Sequence, residues 1–271
     1  MTDLTAIPIG LIIGIFGTLI GAGGGFLLVP LLIFLEPNWS TETVTAFSLA
    51  VVAANAFAGS LSYARLRRID MASFPVFAAA AVPGAVFGAY LSAFVPRRGF
   101  DALLGCFILV TAALLFLSRR IASDRRGGAT YRHLIDARGI SYEWNFDLRL
   151  GIVGSALAGV LSSLLGIGGG IVHVPFLVAI LGFPEHIATA TSHSVLAVTA
   201  GVATLYHLVH GDFATHVWTT ALTACGAVLG APIGAKLSTR ISGAAIARIL
   251  AIALGAVGAR LIAAAFFVGP I

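Results

Sequence analysis

Apolar and polar positions in this chain alternate on the scale of whole segments. Apolar stretches run at 5–35, 43–64, 71–95, 100–118, 149–182, 187–209, 213–235 and 243–268, separated by short polar breaks. Most are near the ~20 residues that cross a bilayer as a helix. Few keep the polar face that a helix of a soluble domain shows to water. The pattern predicts an all-α, polytopic helical membrane protein. The first and fifth stretches are longer than one span needs, and each carries a run of three glycines: GTLIGAGGGFLLVP from Gly17 to Pro30 and SSLLGIGGGIVHVP from Ser162 to Pro175. Glycine costs a helix about 1 kcal/mol relative to alanine, so each cluster predicts a break. Each long stretch then predicts two half-helices, such as 5–20 and 25–35, joined at the glycines. A break inside hydrocarbon frees backbone groups that water cannot reach, so those groups must be used by something else.

Composition strengthens the membrane assignment. Hydrophobic residues make up 59% of the chain and charged residues 10%, against about 25% charged in soluble domains. Mean hydropathy is +1.02. The net charge of +5 does not point to nucleic acid, because the basic residues fall between apolar runs, where they set topology. The N-terminal apolar stretch lacks a basic leader and a cleavage site, and is expected to be a retained membrane segment. The segment 119–147 is read as a basic polar linker on the cytoplasmic side that attracts anionic lipid headgroups. It divides the chain into membrane repeats at 1–118 and 148–271. Cys106 and Cys225 form no metal or disulfide pattern and are expected as small packed residues.

The two halves repeat. Gly21–Gly25 match Gly166–Gly170, Pro30 matches Pro175, TAFS at 45–48 matches TATS at 189–192, and Gly84 and Gly88 match Gly230 and Gly234. If both long stretches re-enter on the side they left, the halves become inverted. One face then gathers Arg65, Arg67, Arg68, the arginines from Arg119 to Arg149, Lys236, Arg240 and Arg248, leaving Arg97, Arg98 and Arg260 on the other. Spanning segments would weaken that split, so the positive-inside rule favours inverted repeats. A glycine-broken helix opening each inverted repeat is a known transporter plan.

The breaks suggest the chemistry. A helix that starts after a glycine turn offers unpaired N–H groups and the positive end of its dipole, and glycine lets an anion approach closely. The substrate-binding candidates are therefore Gly21, Gly23, Gly24 and Gly25 in the first cluster and Gly166, Gly168, Gly169 and Gly170 in the second. No Lys or Arg lies in either cluster. Hydroxyl and amide donors at equivalent depth, Ser48, Asn55, Thr191, Ser192 and His193, are candidates to complete an anion cage, with Thr18, Ser162 and Ser163 lining the same region. His193 and His173 are the candidates for proton coupling. Gly10, Gly14, Gly84 and Gly88 are expected to permit close helix crossings. Tyr206, His207, His210, Asp212 and His216 are expected at an interface, without a metal, and no cofactor is expected.

The paired GAGGGFLLVP and GIGGGIVHVP runs, with TAFS/TATS and GAVFGA/GAPIGA, resemble the sulfite exporter TauE/SafE family of membrane permeases over nearly the whole chain outside the linker. The resemblance implies a plasma-membrane secondary carrier without a nucleotide-binding domain, moving sulfite or a related small organosulfur anion. The expectation is an exporter of sulfite or an organosulfonate, bound near the midplane between the two glycine breaks, with the small anion and membrane lipid as partners and an oligomer compatible with the sequence. An anion channel and a non-transporting membrane subunit are the alternatives. Histidines crowd the second half, so the resemblance leaves room for unequal halves.

Overall fold

The structure is a computed structural model, and it describes residues 3–121, 128–212, 214–240, 255 and 258–259. The eighth apolar stretch, with Arg248 and Arg260, lies outside the described residues apart from Gly255, Gly258 and Ala259. Helices α1 (Asp3–Ile20), α2 (Gly25–Leu35), α3 (Thr41–Arg65), α4 (Phe74–Ser92) and α5 (Arg97–Ile121) form the first half, and α6 (Leu148–Leu165), α7 (Gly170–Pro175), α8 (Glu185–His210) and α9 (Val217–Leu237) the second. Among the described residues five helices, α3, α4, α6, α8 and α9, are long and apolar enough to cross a membrane. The protein is an integral, multi-pass membrane protein. Large apolar side chains such as Phe57, Leu61, Phe87, Leu157, Leu205 and Leu229 remain exposed, as they must where the surrounding solvent is lipid.

Local chemistry sets the helix ends. Ser40 caps α3 by accepting from Thr43 N–H at 3.1 Å, and Asp147 caps α6 by accepting from Arg149 N–H at 2.8 Å, each satisfying a first-turn donor. Gly166 and Gly211 end α6 and α8 in the left-handed region, where glycine carries no Cβ penalty. Both long stretches break at their glycines, so α1–α2 and α6–α7 are interrupted pairs. The second pair adds a feature the first lacks: α7 passes after Pro175 into a π-helical turn, Phe176–Ile180.

Small residues hold the halves together in a crossed pattern. Gly226, Gly230 and Gly234 of α9 lie against the carbonyls of Ile7, Leu11 and Ile15 on α1, while Gly84 and Gly88 of α4 lie against those of Ala156 and Val160 on α6. Residue numbers rise together along both seams, so α1 runs parallel to α9 and α4 parallel to α6. A Cβ at any of these glycines would strike backbone, which is how small residues let membrane helices approach. Each half thus packs its first helix on the glycine-bearing fourth helix of the other, α1 on α9 and α6 on α4. Between the seams α3 crosses α8, with Leu49, Val52, Ala56, Leu196 and Ala200 in one buried cluster.

The part of the linker from residue 128 onward forms a β-hairpin. Strands β1 (Thr130–Ile135) and β2 (Ser141–Phe146) pair antiparallel, Thr130 opposite Phe146 and Ile135 opposite Ser141. Trp144 and Phe146 leave the hairpin to join a buried cluster with Phe77, Leu181 and Phe183. The Arg68 side chain donates from Nε and Nη2 to Asp136 Oδ2 at 3.2 and 3.0 Å, and Arg132 lies 3.5 Å from Asp70. Arg132 of the basic segment and Arg68, just past the end of α3, thus serve ion pairs within the protein. Cys106 and Cys225 also depart from expectation: both are exposed, because they fall on faces of α5 and α9 turned away from the packed seams.

Candidate functional site

The two glycine turns meet in the middle of the protein. Gly21, Gly23 and Gly24 have φ of 78°, 76° and 87°, and Gly166 and Gly168 have φ of 64° and 70°, values that L side chains rarely adopt. The first turn is closed by Gly17 O, which accepts from Ala22 and Gly23 N–H at 2.9 and 3.0 Å. A Cβ on Gly25 would lie 2.5 Å from the Ile167 carbonyl, and one on Gly170 would lie 2.5 Å from Ala22 Cα. The start of each second half-helix therefore rests directly on the backbone of the other turn. Gly23 and Gly168 both abut Val52 and Leu196 at the α3–α8 crossing. Gly21 rests on Thr189 and Gly166 on Thr45, the paired positions of the TATS and TAFS segments.

The predicted polar residues divide into three groups around these turns. One group holds the turns by their carbonyls. Ser48 donates to Gly166 O at 2.6 Å, and Asn55 donates from Nδ2 to Gly23 O at 3.0 Å. Thr18 donates to Asn55 Oδ1 at 3.0 Å and lies 3.4 Å from His193 Nε2. Tyr63 donates to Thr18 O at 2.6 Å and meets the His193 ring edge-on at 5.8 Å. His193 also packs against Gly59, where a Cβ would collide with its ring. Ser48, Asn55 and His193 are thus engaged with turn backbone or with each other. Thr191 stands apart, its Oγ1 accepting from Asp70 N–H at 3.0 Å toward the hairpin.

The second group encloses a cavity beside the second turn. It is lined by Ser155, Ala158, Gly159 and Ser162 of α6, Gly169, His173 of α7, Ser192, Val195, Leu196 and Thr199 of α8, and Ala81 of α4. Space open to a water's centre is about 10 Å³, near the minimum that holds one water. Ser162 Oγ, Ser192 Oγ and His173 Nδ1 are buried and lack a hydrogen-bond partner. Buried polar groups are nearly always paired, so three unpartnered groups around one cavity make it the candidate place for a polar guest. Sequence reasoning missed Ser155 and Thr199. Both were legible from helical spacing: Ser155 and Ser162 share a face of α6, and Ser192 and Thr199 a face of α8.

The third group sits at the end of α8. His207 Nδ1 and Asp212 Oδ2 are 2.6 Å apart, His210 stacks on Tyr206 at 4.2 Å, and His216 stacks on Trp39 at 4.1 Å. Among the described residues no three His, Cys, Asp or Glu side chains gather as a metal site would need.

Comparison with known proteins finds relatives over most of the chain. The family model described as "Sulfite exporter TauE/SafE" matches residues 6–261. The chain is similar to the "Probable membrane transporter protein YunE" of Bacillus subtilis, at 29% identity covering 97% of this chain and 98% of that protein. It is also similar to the "Probable membrane transporter protein MJ0441" of Methanocaldococcus jannaschii, at 29% identity over 72% of this chain and 68% of that protein. A "Probable membrane transporter protein" of Xylella fastidiosa is 28% identical over 88% of this chain and 86% of its own. No solved structure matches the chain.

Proposed function

The chain belongs to the sulfite exporter TauE/SafE family, a family of membrane transporters, and on that premise we propose that it is a secondary carrier exporting a small anion, sulfite or an organosulfonate. The observation that carries this reading is the backbone contact between two glycine turns beside a cavity with unpartnered hydroxyls. Hydroxyl donors held by a rigid frame suit an oxyanion, and the lining contains no fixed cation that would hold it too tightly to release. The turns close the path between them, so passage requires the half-helices or the halves to part. That favours alternating access over an open channel.

We infer further that the halves are inverted. The start of α3 and the turn before α9 lie together, since Trp39 stacks on His216 and Thr43 donates to Asp212 O at 3.1 Å. With α1 parallel to α9, the first interrupted pair begins and ends on that face. The second begins and ends on the hairpin face, where Phe77 meets both Gly151 and Phe183. The hairpin face carries Arg65, Arg67, Arg68 and Lys236, so the positive-inside rule makes it cytoplasmic.

Flux of labelled sulfite and of a short sulfonate into liposomes holding the purified chain tests the carrier reading. Saturable flux that Gly169→Val abolishes supports it, because the added side chain would fill the cavity against Ser162. Flux linear in anion concentration would favour a channel. Absence of any anion flux from the active-sized, correctly folded protein would end the transport reading for these anions.

A further inference from the structure

The repeat allows each wall of the cavity to be compared with its counterpart in the first half. By the motif register, His173 corresponds to Leu28, Ala158 to Ile13, Val195 to Val51, Ala81 to Ala227, Ser155 to Gly10 and Ser162 to Gly17. Leu28, Ile13, Val51 and Ala227 are buried together in one apolar core. Ser192 and Thr199 have polar counterparts, Ser48 and Asn55, but those two donate to the turn carbonyls Gly166 O and Gly23 O. The equivalent space of the first half is otherwise filled with apolar side chains, while that of the second half is hollow and lined by polar groups without partners. Helix packing alone would be served equally by either filling. The substitution of His for Leu, together with two serines for glycines, concentrates proton-exchanging and hydrogen-bonding groups on one side of a symmetric frame.

The hydrogen bonds around His173 fix its tautomer. Ser155 Oγ donates its one proton to Gly151 O at 2.7 Å. It lies 2.9 Å from His173 Nε2, so it accepts there, and Nε2 carries the ring proton. Nδ1 is then a bare lone pair, buried and without a partner. We propose that His173 is the proton-binding residue of the carrier, with Ser155 as its positioning residue. Once the half-helices part and widen the cavity to admit the anion, Nδ1 takes a proton from solvent, forming one N–H bond, and returns it when the anion leaves. The proposal rests on the anion-carrier reading above. A lone anion or a lone imidazolium is costly in a buried site with so little room for water, whereas the pair is neutral. Proton and monoanion therefore move together, and the direction follows their summed gradients.

Other groups do not compete for this role at the site. From α4 the ring is met by Phe77, edge-on at 5.9 Å, and from the π-turn by Phe176, stacked at 6.3 Å. The α6 and α8 residues lining the cavity carry no charge and include no other titratable group. Helix α5, which also packs on α7, shares Phe100, Leu104 and Ile108 with the core around Ile171; its Arg98 is exposed, as is Cys106, and Asp101 is outside the cavity lining. His193 shows an unpartnered Nδ1 as well, but it is clamped between Thr18, Tyr63 and Gly59 and does not line the cavity.

The test counts protons on ligand binding, using the full chain in detergent at neutral pH and weak buffering. Thermal shift reports sulfite binding, and a pH indicator reports proton exchange. Wild type should take up about one more proton per sulfite bound than His173→Gln; the difference removes sulfite's own titration. Ser155→Ala should still bind sulfite but with a displaced pH profile. A short alkanesulfonate, whose charge is fixed, gives the same count in wild type alone should His173→Gln fail to fold. Sulfite binding with equal proton uptake in wild type and His173→Gln overturns the proposal and leaves the carrier reading standing, as does sulfonate binding without uptake. An unchanged profile in Ser155→Ala removes the role of Ser155. No stabilisation by either anion at any pH removes the carrier reading, and this proposal with it.

Discussion

Two glycines of the paired clusters do different work, although the motif writes them alike. Gly24 sits at φ 87° with a virtual Cβ 2.5 Å from the Ile13 side chain. The matching Gly169 sits at φ −57°, an ordinary helical value, and its virtual Cβ is 3.1 Å from Ser162 Cβ, at the cavity. Left-handed backbone costs an L-residue roughly 1–2 kcal/mol, to which the collision with Ile13 adds. Gly24→Ala should therefore lower the thermal midpoint clearly, whether or not anion is present. Gly169→Ala should unfold close to wild type but lose most of the midpoint rise that saturating sulfite gives. Equal loss of stability in both, or an undiminished sulfite shift in Gly169→Ala, would show that the second cluster only packs. At this scale the glycines and the donor residue types were legible in the sequence. Their acceptors were not, because Ser48 holds a carbonyl 118 positions away and nothing local announces that contact.

Among the elements, the β-hairpin is the one that apolar patterning passes over. Its strands, TYRHLI and SYEWNF, bury alternate residues, but the period is short and the arginines and acids around it look like a solvated loop. Only the docking partners make it a structure. Asp136 ties the hairpin together and to the membrane helices: it accepts from Arg138 and Ile140 N–H at 2.8 and 3.0 Å, and from Arg68. Burial alone would raise its pKa, but those donors and the Arg68 charge outweigh burial and hold the carboxyl below its usual value. A carboxylate depressed by folding stabilises at pH above its unfolded value, and that contribution is lost as pH falls through its folded one. Hairpin docking should accordingly be flat through neutral pH and weaken only in acid, below the ordinary carboxylate range. Asp136→Asn leaves Arg68 buried without its counter-charge, at a cost of about 3–5 kcal/mol. Limited proteolysis at neutral pH should then cut within the hairpin in the variant and spare it in wild type. Equal resistance would mean that Trp144 and Phe146, seated against Phe77 and Phe183, dock the hairpin without the ion pair.

For the whole molecule, the decisive relation is which ends of the helices share a face. The sequence offers the repeat plainly, since glycines, proline and the Thr-Ser segments recur in order, and the crossed seams follow from where those glycines pack. The inversion we infer is hinted at there only by the scatter of arginines, because hydropathy has no direction: an apolar stretch looks the same entering or leaving a bilayer. Contacts at the two ends supply direction. Tyr131 on β1 and His210 at the end of α8 are both exposed, and the inverted arrangement sets them on opposite sides of the membrane. Cys106 and Cys225 are exposed and outside the seams, so both can be replaced by serine to give a cysteine-free background at little cost. In that background, Tyr131→Cys should react with a membrane-impermeant maleimide only in inside-out vesicles, and His210→Cys only in right-side-out ones. Labelling of both from one side would require one interrupted pair to span the bilayer instead of re-entering. That result would overturn the inversion of the halves, and with it the alternating exposure of one site to the two sides that the carrier reading needs.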